Sequence, residues 1–145
     1  MNEKPRLPSV GEYVRNYGEL IEVQEVTPPP PAKCYDYIFK SLSWRVDALA
    51  NGKKLRTFVE HNDFFGSDVG LREAINDAQE LAVQYAGFIE MIVIQITTHR
   101  RMKPTGNENI YDNTYYAFDS YAYSDNVPDP EEKVVWSSKQ VKEGK

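Results

Sequence analysis

The chain of 145 residues has few of the side chains that most catalytic and metal sites require. Cys34 is its only cysteine, so no disulfide can form within one chain, which fits a reducing compartment. His61 and His99 are its only histidines, and together with Cys34 they do not supply zinc ligands at a recognisable spacing. The sequence therefore predicts neither a metal nor a cofactor.

The sequence also lacks a long apolar run. Its longest such stretch, IEMIVIQI, is too short to span a bilayer. The first residues, MNEKPRLPSVGEY, contain no apolar segment of the kind found in signal peptides. We therefore expect a cytoplasmic protein that does not contact a membrane.

Catalytic motifs are absent as well. The sequence contains no nucleophile elbow, no P-loop and no dinucleotide-binding glycine pattern. His61 and Asp63 are the one histidine and carboxylate that lie close in sequence, and Cys34 could join them only through the fold. An enzyme with a site assembled around His61 is thus an alternative, whereas the favoured expectation is a protein without catalytic activity.

The sequence has fewer basic than acidic residues, 17 against 22, and its formal net charge is therefore -5. A protein that coats nucleic acid non-specifically needs many cations to displace counterions, so this balance weighs against that class. A local basic and aromatic face would still suit a nucleotide or a single-stranded nucleic acid. Its candidate residues are Tyr35, Tyr37, Phe39, Arg45, Arg56, Phe58, Arg100 and Arg101.

The best local signal that is present is an Asn51-Gly52 pair between two alternating runs. Asn-Gly favours a two-residue type I′ hairpin, and a regular hairpin would pair residues whose numbers sum to 103. That register places Trp44, Val46 and Ala48 on an apolar face. It also predicts the cross-strand pairs Ala48–Leu55, Val46–Thr57, Trp44–Val59, Arg45–Phe58, Asp47–Arg56 and Ser43–Glu60.

An amphipathic helix follows this hairpin in LREAINDAQELAVQYAG. Ser67 or Asp68 is its expected cap, and Gly87 stands where a C′ glycine is expected. Its apolar stripe consists of Leu71, Ile75, Ala78, Ala82 and Tyr85, with Leu81 beside it. We expect this stripe to pack on a sheet.

The remaining segments complete an α+β prediction. Alternating or apolar runs predict strands at ELIEVQEV, FIEMIVIQITT and YYAFDSYAYS, and KVVW predicts a sixth strand at an edge. HRRMKPTGNEN is expected to form a long basic loop, and the four prolines Pro28–Pro31 a stiff spacer rather than a ligand for a proline-recognising domain. The fold class is thus a mainly antiparallel sheet of order β-β-β-α-β-β, with one helix on one face.

We expect one domain over residues 19–137, preceded by an arm over 1–18 and followed by a polar tail over 138–145. Within the arm, Ser9 and Glu12 have the spacing of a capping box, which predicts either a short helix or a turn. Because one helix covers only one sheet face, the second face must meet solvent, the arm or another chain.

Tyrosine is concentrated in YDNTYYAFDSYAY, which holds five of the ten tyrosines in the chain. As a strand, this stretch presents aromatic residues on both faces, so Tyr115, Tyr121 and Tyr123 fit either the core or an interface. We expect a small, non-enzymatic, inhibitor-type protein that forms a homo-oligomer and binds a protein partner through its aromatic and charged sheet face. Its size and acidity are typical of phage and mobile-element accessory factors that act on a host macromolecule. The binding surface is expected to comprise Tyr35, Tyr37, Arg45, Arg56, Phe58, Arg100, Arg101, Tyr115, Tyr121 and Tyr123.

Overall fold

The computed structural model describes residues 5–16, 19–28, 36–62, 68–85, 89–119 and 126–139. Within them it contains eight strands and one helix. In chain order these are β1 (Tyr13–Asn16), β2 (Glu19–Thr27), β3 (Asp36–Ala50), β4 (Lys53–Asn62), α1 (Val69–Gln84), β5 (Glu90–Met102), β6 (Pro104–Glu108), β7 (Tyr116–Phe118) and β8 (Glu131–Ser137).

The strands form two sheets. The larger one has the order β1-β2-β3-β5-β8, with β4 paired to β3, and the smaller one consists of β6 and β7. The pairings β1–β2, β2–β3, β3–β4, β5–β8 and β6–β7 are antiparallel. The structure is therefore mostly antiparallel sheet with one helix packed on it, as expected, but β1 and β6 make the strand order richer than β-β-β-α-β-β.

The predicted basic loop at residues 99–109 is wrong. Strand β5 continues through His99, Arg100 and Arg101 to Met102, and β6 begins at Pro104. Arg100 donates to Glu19 at 2.5 Å and Arg101 to Asp36 at 3.2 Å. These carboxylates offset the positive charges, so a basic run can stay extended in a sheet.

The Asn51-Gly52 turn forms as predicted, with φ values of 53° and 79°. Its register holds for Ala50–Lys53 and Leu49–Lys54 and then fails, because β4 contains two bulges. Leu55 and Phe58 are the extra residues. Between the two bulges the pairs are Ala48–Arg56 and Asp47–Thr57. Beyond Phe58 they are Val46–Val59, Arg45–Glu60, Trp44–His61 and Ser43–Asn62, and together these replace the predicted set.

The chain divides into two compact units. The first unit comprises Met1–Ser41 and Thr98–Pro130, and the second comprises Leu42–Thr97 and Glu131–Lys145. The division falls within β3 and within β5, so each of these strands contributes residues to both units.

The core of the first unit is aromatic. Phe118 is fully buried, and its ring meets those of Tyr37 and Phe39 edge-on, with centroids 4.9 and 4.7 Å apart. Such edge-to-face contacts add to the stabilisation from burial. The other buried members are Val14, Ile21, Val23, Met102 and Tyr115, and Leu7 and Val26 pack against them.

The core of the second unit lies beneath the helix. Trp44, Val46 and Ala48 are buried there, which confirms the predicted apolar face of β3. On α1, the predicted residues Leu71, Ile75, Leu81 and Ala82 are partly buried against this core, and Ala78 is fully buried. The deepest helix positions also include Gly70 and Ala74, which lie outside the predicted stripe.

The opposite face of β3 carries a charged network in the second unit. Asp47 is 1% exposed and accepts hydrogen bonds from Arg45 Nε at 3.0 and 3.1 Å and from Thr57 Oγ1 at 2.7 Å. Arg45 also donates to the carboxylate of Glu132 on β8. The sequence suggested Arg56 as the partner of Asp47, and the bulge at Leu55 gives that position to Thr57 instead.

The N-terminal segment forms a turn, and the short helix considered for it is absent from its described residues. Glu12 N donates to Ser9 O at 3.0 Å, and Gly11 has φ 92°, so the chain reverses and enters β1. Ser9 N donates to Glu12 Oε1 at 2.6 Å, which is one of the two contacts of a capping box. The spacing was therefore informative although no helix follows it.

Several sequence predictions fall outside the described residues. These are Cys34, Asp63, the cap Ser67, the C′ glycine Gly87, most of the proline run, the end of the tyrosine-rich stretch and most of the predicted polar tail.

Candidate functional site

The turn between β6 and β7, residues 109–115, combines a fixed backbone with exposed apolar side chains, and we call it the Asn109 turn. Pairing of Glu108 with Tyr116 and of Pro104 with Phe118 holds the strands on either side. Asn109 N donates to Tyr115 O at 3.1 Å, and Tyr115 N donates to Asp112 O at 3.1 Å. The backbone of the turn is thus closed by its own hydrogen bonds.

Asn109 fixes the turn from inside. Its side-chain oxygen accepts hydrogen bonds from Tyr111 N at 2.9 Å and Asp112 N at 3.2 Å, as asparagine often does in turns. Its amide nitrogen donates to Arg15 O at 3.0 Å, which attaches the turn to β1. Asn109 is 1% exposed, so these bonds are shielded from competing water.

The two residues that follow Asn109 point outward. Ile110 is 85% exposed and Tyr111 is 46% exposed. Both are large, and an exposed isoleucine on an ordered turn gains no stability from burial within the chain. A rigid backbone that presents an aliphatic and an aromatic side chain is typical of a binding anchor, because little conformational freedom is lost on association.

A polar cluster in the same unit joins the end of the turn to the N-terminal segment. Arg6 forms two hydrogen bonds to the Glu12 carboxylate, at 2.7 and 3.0 Å, and its guanidinium lies 4.9 Å from the centre of the Tyr115 ring. Tyr115 Oη donates to Glu12 Oε2 at 3.1 Å. Backbone bonds from Arg6 N to Thr114 O and from Tyr116 N to Arg6 O complete the connection.

This cluster changes the protonation behaviour of its members. The hydrogen bonds from Arg6, and then the one from Ser9 N, hold the pKa of Glu12 at about 2, below its ordinary value of 4.5. Burial and the neighbouring Glu12 carboxylate raise the pKa of Tyr115. Tyr115 was predicted for a binding surface. It is only 8% exposed, and it holds the turn instead.

The other predicted surface residues are distributed between the two units. Tyr37 is fully buried in the first core, and Arg100 and Arg101 of that unit donate to carboxylates. Tyr35, Tyr121 and Tyr123 lie outside the described residues.

In the second unit, Arg45 donates to Asp47 and Glu132, and its side chain is only 16% exposed. Arg56 lies over the ring of Phe58 at 4.4 Å, so the cation–π pair on this hairpin involves Arg56 where the sequence suggested Arg45. The three residues therefore have partners within their own unit.

The surroundings of His61 bear on the enzyme alternative. His61 Nε2 lies 2.7 Å from Asp77 Oδ2, and His61 Nδ1 lies 3.5 Å from Glu73 Oε1. These groups border an open groove of about 440 Å³ that is also lined by Val69, Arg72 and Asn76. Among its described lining residues none is a serine, threonine or cysteine, so a nucleophile for acyl transfer is missing from that part of the groove.

Metal binding receives no support from the part of the chain that the structure describes, where no group of three or more histidine, cysteine, aspartate or glutamate residues could hold an ion. Within the same residues, no helix has the length and apolar character needed to cross a membrane.

Asn109 and Ile110 were not among the residues that the sequence pointed to, although the tyrosine-rich stretch begins one residue later. Ile110 is the lone aliphatic residue in the polar run GNENIYDNT, and this isolation was the available signal. An isolated apolar residue is usually a minor feature of a surface loop. The hydrogen bonds of Asn109 and of the turn backbone show that this loop is fixed.

Comparison with family models, with curated proteins and with solved structures finds no match to the chain.

Proposed function

We propose that this protein is a non-enzymatic binding protein that recognises another protein through the Asn109 turn. The observation that carries the proposal is the exposure of Ile110, at 85%, on a turn whose backbone is fixed by a buried asparagine. Apolar and aromatic residues held in this way supply contact area at low entropic cost when a partner covers them.

Ile110 is one of several large exposed side chains in the first unit, which supports an interface rather than an isolated side chain. Tyr111 adjoins Ile110, and the first unit also exposes Val10 at 61% and Tyr13 at 50%. Tyrosine is enriched where proteins associate, because its ring is apolar and its hydroxyl remains polar. A nucleic-acid function is not favoured, because Arg45, Arg100 and Arg101 already donate to carboxylates.

The test places a photo-cross-linking amino acid at position 110 and, as a matched control, at position 83. Val83 is 79% exposed on α1 in the second unit, so it samples a similarly accessible apolar position. We expect position 110 to capture a protein of different sequence in cells of the source organism and position 83 to capture none. A product of two cross-linked copies would replace the proposal by the self-association considered from the sequence.

The captured protein is then purified, and its affinity is measured for the unaltered chain, for Ile110→Asp and for Val83→Asp. We expect Ile110→Asp to weaken binding by at least about tenfold, as expected for an interface anchor, and Val83→Asp to leave it unchanged. Both variants should keep the melting temperature, because neither side chain is buried. Equal affinities for all three proteins would refute the proposal.

A further inference from the structure

A small cavity lies directly beside the Asn109 turn. Its volume is about 180 Å³, and two of its lining residues are Ile110 and Tyr111 themselves. The remaining lining residues are Asn16, Thr105, Asn107, Glu108, Asn109 and Ala117. Its volume is below the roughly 300–1,000 Å³ of most small-molecule sites, so it suits a single side chain better than a cofactor.

Glu108 is the one charged residue among those that line the cavity. Its carboxylate forms no ion pair or hydrogen bond with the residues that the structure describes. Three other carboxylates of the first unit differ in this respect, because Glu12, Glu19 and Asp36 each pair with an arginine. Glu108 is thus a negative group at an exposed cavity wall that still has the capacity to accept a cation.

The segment around the cavity, residues 104–119, is negatively charged like Glu108 itself. Residues 104–119 contain three carboxylates, Glu108, Asp112 and Asp119, and no lysine, arginine or histidine. A partner with matching potential must be positive where it meets this segment, because like charges at an interface are costly. Nucleic acid and anionic lipid are disfavoured by the same argument.

We propose that the cavity receives a lysine or arginine side chain from the protein partner, so that the partner surface is basic beside an apolar patch. The methylene stem of such a side chain would pack against Ile110, Tyr111 and Ala117, and its cationic group would reach Glu108. This inference rests on the proposed function and adds the chemistry of the partner.

The test uses three capped tripeptides, Gly-Arg-Gly, Gly-Lys-Gly and Gly-norleucine-Gly, added at matched ionic strength to the isotope-labelled full chain. Amide chemical shifts report where each peptide binds. We expect the arginine or lysine peptide to shift residues 105–111 and 117 saturably and the neutral norleucine peptide to have little effect. Equal shifts with the norleucine peptide, or no shifts at these residues at millimolar peptide, would overturn the inference.

Two charge-neutralising variants make the assignment specific. Glu108→Gln should weaken binding of the basic peptide by about fivefold, which is the upper end of the effect of an exposed ion pair. Glu25→Gln, the same change at an exposed position on β2 of the same unit, should leave binding unchanged. If both variants weaken binding equally, the effect is one of net charge and the cavity is not the site.

The two proposals can fail separately. A partner whose affinity falls with Ile110→Asp but is the same for Glu108→Gln would leave the binding function intact and overturn the inference about the cation. A partner whose affinity is insensitive to Ile110→Asp would refute the binding function itself.

Discussion

Glu12 shows how a single residue can tie two distant parts of the chain together. It accepts hydrogen bonds from Arg6 and Ser9 N, close to it in sequence, and from Tyr115, more than one hundred residues away. The Glu12 carboxylate therefore strengthens the attachment of the N-terminal segment to the end of the Asn109 turn, beside the backbone bonds of Arg6, and its contribution depends on the carboxylate being ionised.

We expect this attachment to weaken in acid. Because the pKa of Glu12 is about 2 in the folded chain and 4.5 ordinarily, the unfolded chain takes up a proton first as the pH falls. The contribution of Glu12 to stability is thus complete above about pH 4.5 and is lost between there and about pH 2. Thermal unfolding of the unaltered chain and of Glu12→Gln, followed by circular dichroism, measures it.

The melting temperatures of the two proteins should differ at neutral pH and converge in acid. Arg6 is half exposed and Glu12 about one third exposed, so the difference should also shrink as salt is added. A difference that stays constant from neutral pH to about pH 2.5 would show that the glutamate acts through its shape and not through its charge.

Two tyrosines of the tyrosine-rich stretch show which residue environments the sequence could not predict. Tyr111 and Tyr115 are four residues apart and of identical chemistry, yet Tyr111 is 46% exposed and Tyr115 only 8%. Composition identified the stretch as unusual, but the choice between core and interface depends on Asn109, whose bonds reverse the chain between the two residues. The sequence has no regular alternation of apolar and polar residues around this turn, so alternation could not assign the two tyrosines to the core or the surface.

At the scale of elements, the turn and the buried face of the β3–β4 hairpin were predicted, but most of its cross-strand register was wrong. The Asn-Gly turn and the buried face of Trp44, Val46 and Ala48 follow from local rules of turn chemistry and alternation. The bulges at Leu55 and Phe58 do not, because a bulge is a response to packing and twist that leaves alternation on the partner strand unchanged. Each bulge moves every later pair by one residue.

The helix was placed correctly, but the close approach of Gly70 to Trp44 was missed for a related reason. Gly70 lies against Trp44, and a Cβ atom at position 70 would be 2.6 Å from the tryptophan ring and 2.8 Å from the carbonyl oxygen of Asn62. A periodic pattern of apolar residues does not identify a glycine as a packing position, so nothing in the sequence indicated this close approach.

Gly70→Ala should therefore destabilise the protein. Glycine to alanine in an open helix is stabilising by roughly 0.5–1 kcal/mol, whereas overpacking a fixed core costs about 1–3 kcal/mol. Here the neighbours of the added methyl group are a buried ring and a backbone oxygen. The cost of overpacking should therefore exceed the gain in helix stability, and the free energy of unfolding should fall. Urea denaturation measures both sign and size.

Val83→Ala provides the comparison on the same helix, because Val83 is 79% exposed and should change the free energy of unfolding by no more than about 0.5 kcal/mol. A gain in stability for Gly70→Ala would mean that α1 shifts away from Trp44 at little cost, and that the close approach is not a requirement of the fold.

At the scale of the whole molecule, neither unit is built from one continuous piece of chain. The first unit needs Phe118 and Met102 from its second segment, and the second unit needs Trp136, which packs against its core from β8. Elements distant in sequence thus complete both cores.

A fragment ending at Thr97 should consequently fail to fold, although it retains the hairpin and the helix. We expect it to lack a cooperative thermal transition and dispersed amide resonances. Phe118→Ala in the full chain is the milder comparison, and it should remain folded while losing about 3–5 kcal/mol of stability. Native-like resonance dispersion for the fragment would contradict the dependence of the two cores on their later segments.

The interleaving of the two units also sets an order of events on the ribosome. Synthesis proceeds from the N-terminus, so β1, β2 and the first half of β3 emerge long before Phe118, and the helix emerges long before Trp136. Neither core can therefore be completed before the final third of the chain is synthesised. Until then the apolar side chains of Phe39 and Trp44 lack the residues that bury them. Folding of both units should therefore begin only after Phe118 and Trp136 have been synthesised, and until then the nascent chain should be a substrate for chaperones that cover exposed apolar segments.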